Sequence, residues 1–255
     1  MADLVMFMGQ SNMAGRGDAE KAAPCPPEAG WEFRPVTEPG RLFPIREPFG
    51  LRENRPGGID DKHKKTGGLA GAFSAEYYRL TGRRVLGVSA SEGGTSTAQW
   101  IERLLPDALE RFLAAEAFAA RKGMRVERRL MLWCQGETDG DGCVSGGEYK
   151  ERFLQIVGAM KNQGIQACGL IQIGHFNQAA SPQGAGGVPA GELERRYEVI
   201  RRAQEEICLQ TPGVFLAASF AGFGDQMKDS YHYFQSAYDQ VGREAAGRFA
   251  AYTGI

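Results

Sequence analysis

Short apolar runs alternate along this chain with longer stretches in which apolar residues return every three or four positions. The runs lie near residues 3–8, 84–90, 128–134, 167–173 and 213–218, and Leu4-Val5-Met6-Phe7-Met8 is the most continuous of them. Unbroken apolar runs of this length fit strands buried on both faces, whereas the wider periodicity near 69–81, 101–121, 146–162, 191–209 and 235–252 fits amphipathic helices. Regular strand–helix alternation predicts an α/β fold: a three-layer α/β/α sandwich, with a central parallel sheet of about five strands and helices on both faces. Residues 1–255 read as one domain. Residues 17–66 fit no element and carry eight of the twelve prolines, mixed with glycines and with Trp31, Phe33, Phe43 and Phe49. So long a connection inside a compact domain is functional or disordered, and its aromatic content favours an ordered excursion over the surface. Leaving directly from the first strand, it can wall a site there; the other reading is an insertion packed elsewhere.

Three of the strands run into turns rich in glycine and polar residues. The first gives Gly9-Gln10-Ser11-Asn12-Met13-Ala14-Gly15-Arg16-Gly17, which presents a serine at the carboxyl end of a strand, where open α/β sheets place their ligands. Gly, Ser and Asn also make ordinary polar turns, so the serine alone leaves both readings open. The second runs into Glu92-Gly93-Gly94-Thr95-Ser96, the third into Gln135-Gly136-Glu137-Thr138-Asp139. A glycine N–H from the second and the Gln135 amide, with the N–H of Ser11, would make a three-donor oxyanion hole. Gly93 and Gly94 are both candidates, and Gly94 is favoured.

Among three histidines, His232 lies in Asp229-Ser230-Tyr231-His232, before the last helical pattern. A serine nucleophile needs a base, and the base needs a carboxylate to fix its tautomer; an Asp three residues earlier can curl back to bond the ring. His175, after the fourth strand, lacks a carboxylate at turn spacing and is read as a rim or supporting residue. The run Asp60-Asp61-Lys62-His63-Lys64-Lys65 reads as a solvated turn. Glu137 and Asp139 lack the opposed geometry of a glycosidase pair, and Glu137 is read as support for the Gln135 turn.

Taken in order, GQSNMAGRG, the GGTS turn with Trp100 beyond it, WCQGETD and DSYH resemble the four sequence blocks of the SGNH hydrolases. Within these they resemble the carbohydrate acetylesterase branch, which includes acetylxylan esterases and sialate O-acetylesterase-like domains. Gln10 stands where the broader lipase pattern has Asp, and Gln135 where it has Asn; the acetylesterase branch shares both departures. The resemblance implies Ser11, His232 and Asp229 as a triad, with no metal or cofactor. Gln10, Asn12, Arg16, Trp100, Glu137 and His175 are expected at the substrate rim or just behind it. The implied activity is removal of O-acetyl groups from a carbohydrate through an acyl-enzyme. A general small-acyl esterase, an acyltransferase, or an idle carbohydrate-binding domain are the alternatives. An α/β-hydrolase is a poorer match, because only one strand precedes Ser11 and no G-x-S-x-G elbow is present.

Charge narrows the partners. With 30 basic and 31 acidic residues the chain has no electrostatic footprint for nucleic acid or an anionic membrane, and neither is expected. No apolar run is long enough to span a bilayer, and no leader is visible, so a cytoplasmic location is the expectation. The five cysteines lack metal-ligand spacing and read as small buried hydrophobes or inert thiols.

Overall fold

The structure, a computed structural model, describes residues 1–254. Its strands are β1 (Ala2–Gly9), β2 (Gly30–Arg34), β3 (Glu38–Pro44), β4 (Arg84–Ser91), β5 (Val126–Cys134), β6 (Ala167–Gln172) and β7 (Val214–Ser219). Helices α1 (Ser11–Ala14), α2 (Ala70–Thr81), α3 (Thr97–Gln99), α4 (Leu105–Arg121), α5 (Glu137–Asp141), α6 (Gly146–Asn162), α7 (Ala190–Gln210) and α8 (Gln235–Tyr252) alternate with them. One sheet in the order β3-β2-β4-β1-β5-β6-β7 holds all seven strands, parallel throughout except for β3.

The central strand shows why an unbroken apolar run was needed. Leu4, Met6 and Met8 enter a core built with Phe112 of α4, Phe153 of α6 and Ile200 of α7, while Val5 and Phe7 enter a second core with Phe73 of α2 and Phe249 of α8. Each such side chain contributes roughly 1.5–3 kcal/mol on burial, and a polar residue on either face would forfeit it. A π-helical turn, Trp100–Leu104, joins α3 to α4. It fits Pro106 just inside α4, which cannot donate an N–H to the preceding turn.

Two expectations are corrected. The sheet has seven strands where about five were predicted, because residues 17–66 are not devoid of elements: they supply β2, parallel to β4, and β3 at the edge. Pro39 and Pro44 hid the second of these, and an edge strand is where a sheet tolerates prolines. Glu32, in the middle of β2, is buried, with Arg34 and the Gly50 N–H bonded to its carboxylate.

Candidate active site

Register brings the three turns to one level. Gly9 at the end of β1 pairs with Ser91 of β4 on one side and Cys134 of β5 on the other. Chain order departs in opposite directions from β1, so Ser11 sits at the switch point where such sheets bind ligands. The Gln10 N–H donates to the Cys134 carbonyl at 2.9 Å, and the Gln10 carbonyl accepts from Met13 and Ala14, which turns the chain sharply into α1. Among the described residues, the Ser11 N–H has no acceptor.

Ser11 opens into a cleft of about 500 Å³ that is also lined by Gln10, Arg16, Gly94, Glu137 and His232. A tight loop delivers the histidine: Met227 and Tyr233 form an antiparallel bridge, and the Lys228 N–H donates to the His232 carbonyl at 2.9 Å. Within that loop the Asp229 carboxylate lies 3.0 Å from His232 Nδ1 through either oxygen, and Oδ1 also accepts from the backbone N–H groups of Tyr231 and His232 at 2.8 Å. Burial alone would raise the Asp229 pKa, but the His232 ring and those N–H groups outweigh it and hold the carboxyl at about 2. The Ser11 hydroxyl makes no direct hydrogen bond to the His232 ring here; such contacts commonly tighten only when substrate is bound.

Asn12 is fully buried behind Ser11 and ties three segments together. Its Nδ2 donates to Glu137 Oε1 at 2.6 Å and to the Tyr231 carbonyl at 3.2 Å, and its Oδ1 accepts from the Tyr238 hydroxyl at 2.7 Å. Glu137 is buried beside the cleft, and burial raises its pKa although the Asn12 amide pulls the other way. Gln10 turns its Oε1 to the Gly136 and Thr138 N–H groups, at 3.3 and 3.4 Å, which fixes the turn after β5.

The glycine pair lies beside Ser11. A Cβ on Gly93 would lie 2.4 Å from Arg16 Nη2 and 3.3 Å from the Ser11 Cβ, so a side chain there would have to displace the Arg16 guanidinium. The Gly93 N–H is spent on Asp61 Oδ1 at 2.7 Å, whereas the exposed Gly94, at φ +71°, has its N–H free of any acceptor among the described residues.

Four sequence expectations are corrected. Gln135 is fully buried, and its amide hydrogens go to the Thr95 carbonyl, at 3.0 Å, and to the Asp139 carboxylate; it holds the backbone beside Gly94 and does not line the cleft. Trp100 is not at the rim: it is fully buried edge-on to Trp133, with ring centroids 4.9 Å apart, because its helical turn points it back onto the sheet. His175 lines a separate cavity, where Glu194 lies 2.7 Å from its Nδ1; the carboxylate comes from α7 and not from a nearby turn. The charged run 60–65 is not wholly solvated either. Asp61 and Lys65 are buried, Lys65 donates to Ser89 Oγ at 2.6 Å and Ser91 Oγ at 3.1 Å, and burial lowers its pKa to about 8. Nothing local marks these two residues, since their partners lie on β4, on the turn after it and, for Arg16, just after α1.

This arrangement of a hydroxyl, a carboxylate-paired imidazole and unpartnered amides in one cleft suits acyl transfer. Residues 1–251 match the family model described as carbohydrate esterase, sialic acid-specific acetylesterase, and the chain belongs to this family of carboxylic ester hydrolases, whose substrates are acetylated carbohydrates. Among solved structures it is similar to a protein from Arabidopsis thaliana, at 18% identity and TM-score 0.69, covering 98% of each chain. It is also similar to a carbohydrate acetylesterase from Xanthomonas citri, at 16% identity and TM-score 0.58, covering 98% of this chain and 56% of that one. No curated protein matches the chain. Among the described residues, no group of metal-ligating side chains is assembled and no helix is long and apolar enough to cross a membrane.

Proposed function

We propose that the protein is a serine esterase that removes O-acetyl groups from a carbohydrate of the acetylxylan or sialate type through an acyl-enzyme. Ser11 Oγ attacks the acetyl carbonyl while its proton passes to His232 Nε2. The N–H groups of Ser11 and Gly94 receive the negative charge that develops on the carbonyl oxygen. Collapse breaks the ester C–O bond, and the departing sugar oxygen takes the proton from His232 Nε2 and leaves as the hydroxyl. Water then attacks the acetyl-serine, His232 accepts its proton, and acetate leaves with Ser11 restored. Asp229 holds Nδ1–H, so that Nε2 is the basic nitrogen.

The observation that carries this reading is the Asp229 carboxylate, 3.0 Å from His232 Nδ1, in the cleft that Ser11 lines. The test is labelling with a fluorophosphonate together with acetate release from acetylated xylan, O-acetyl sialic acid and an aryl acetate. Wild type is expected to label and to release acetate. Ser11→Ala should not label and should keep only the residual rate that oxyanion donors and binding supply, while remaining folded. Full turnover in Ser11→Ala, or a wild type inert to every probe, would refute the proposal.

A further inference from the structure

Asp61 reaches the site from the long excursion and has no place in the mechanism above. Its Oδ1 accepts two hydrogen bonds of 2.7 Å, one from the Gly93 N–H and one from Arg16 Nη2, and the carboxylate is buried. A second link lies beside it, where the Asp60 N–H donates to Glu92 Oε2 at 2.6 Å. On the far side of the glycine pair, the Gln135 amide holds the Thr95 carbonyl, and Thr95 Oγ1 donates to the Glu92 carbonyl at 2.7 Å. The turn is therefore gripped at residues 92, 93 and 95, and Gly94 between them carries the unpartnered N–H.

Glycine backbones sample a wide range of φ and ψ, and two in succession would leave the Gly94 N–H without a fixed direction. An oxyanion donor stabilises the developing charge only when it is aimed beforehand. We infer that Asp61 is a positioning residue for ester cleavage: by accepting the Gly93 N–H it aims the neighbouring Gly94 N–H at the oxyanion, and Arg16 neutralises the carboxylate so that its charge does not oppose the one forming on substrate. This rests on the esterase reading and on Gly94 as donor. It also gives the excursion a function, since residues 17–66 would supply the clamp and not only a wall.

The test compares Asp61→Ala, Asp61→Asn, Arg16→Ala and the double variant Arg16→Ala/Asp61→Asn on an aryl acetate, with thermal unfolding to establish that each is folded. Asp61→Ala frees the glycine turn and should lower kcat by roughly 10²-fold with a much smaller change in KM, the pattern of a lost oxyanion donor. Asp61→Asn keeps an acceptor for the Gly93 N–H and should recover most of that loss. Arg16→Ala leaves a bare carboxylate beside the forming charge, and adding Asp61→Asn should raise its kcat by roughly 5-fold or more, a coupling expected of contacting groups. The last pair poses the same question if Asp61→Ala does not fold. An Asp61→Ala enzyme with wild-type kcat, an Asn variant as impaired as the Ala variant, or no recovery in the double variant overturns the role of Asp61. A wild type that neither turns over the ester nor labels at Ser11 overturns the esterase reading itself, and this inference with it.

Discussion

Replacing Asn12 with alanine should test whether the nucleophile turn and the histidine loop form one mechanical unit. The substitution removes the acceptor of the Tyr238 hydroxyl and the donor to Glu137 Oε1, both in space closed to water. A buried polar group left unpaired costs roughly 1–3 kcal/mol. The Tyr238 hydroxyl should incur about 2 kcal/mol of this. Glu137 should incur a similar amount, limited because its carboxyl, already raised by burial, can take up a proton instead of standing bare. The Tyr231 carbonyl is only half-buried and can turn to solvent, so its bond adds little. The sum is about 3–4 kcal/mol, or roughly 10 °C in Tm for a chain of this size. Urea unfolding at neutral pH measures it directly. Adding Tyr238→Phe should return about 1–2 kcal/mol, because the stranded hydroxyl is then gone. kcat for an aryl acetate should fall as well, since the Tyr231 carbonyl is a direct tie between this turn and the loop carrying His232. An Asn12→Ala protein within about 1 kcal/mol of wild type, or a double variant no more stable than the single, would refute the reasoning.

Gln135→Ala should lower Tm by several degrees and kcat by roughly 10-fold together, because it strands the Thr95 carbonyl, removes one donor from the buried Asp139 carboxylate and loosens the glycine turn. A kcat loss of about 10²-fold at unchanged Tm would instead mark the side chain as a direct oxyanion donor. The Asp229 carboxyl, lowered from 3.8 to about 2, contributes stability that is fully present above pH 3.8 and is lost as pH falls through 2. Nominally this is about 2 kcal/mol, reduced to roughly 1 kcal/mol because the side chain is nearly half exposed. The gap in urea midpoint between wild type and Asp229→Asn should therefore shrink over that range, and a gap unchanged down to pH 2 would contradict the pairing.

Of the five strands readable in the sequence, β1, β4, β5 and β6 lie inside the sheet, and only β7 is at its edge. Leu4 to Met8 must be apolar at every position because each faces one core or the other, and the same demand on β4, β5 and β6 makes them stand out. β3 at the edge carries no such demand and β2 beside it is only five residues long, so both blended into a proline-rich connection. The site follows a similar division. Asp229 and His232 lie three residues apart, and a single turn suffices to bring carboxylate to ring, so their spacing was itself informative. Asp61 meets Arg16 from 45 residues away and Gly93 from 32, and before those partners arrive it is one more charge in a run of six polar residues. Gln135 and Trp100 were misplaced for the same reason: both stand beside catalytic turns in sequence, yet the Thr95 carbonyl and the Trp133 ring decide where they point. Sequence proximity to a motif locates a backbone, not a side chain. The Gly94 side of this cleft joins the excursion to the turns after β1, β4 and β5, so its residues are defined by contacts across strands, and there local pattern carries least information.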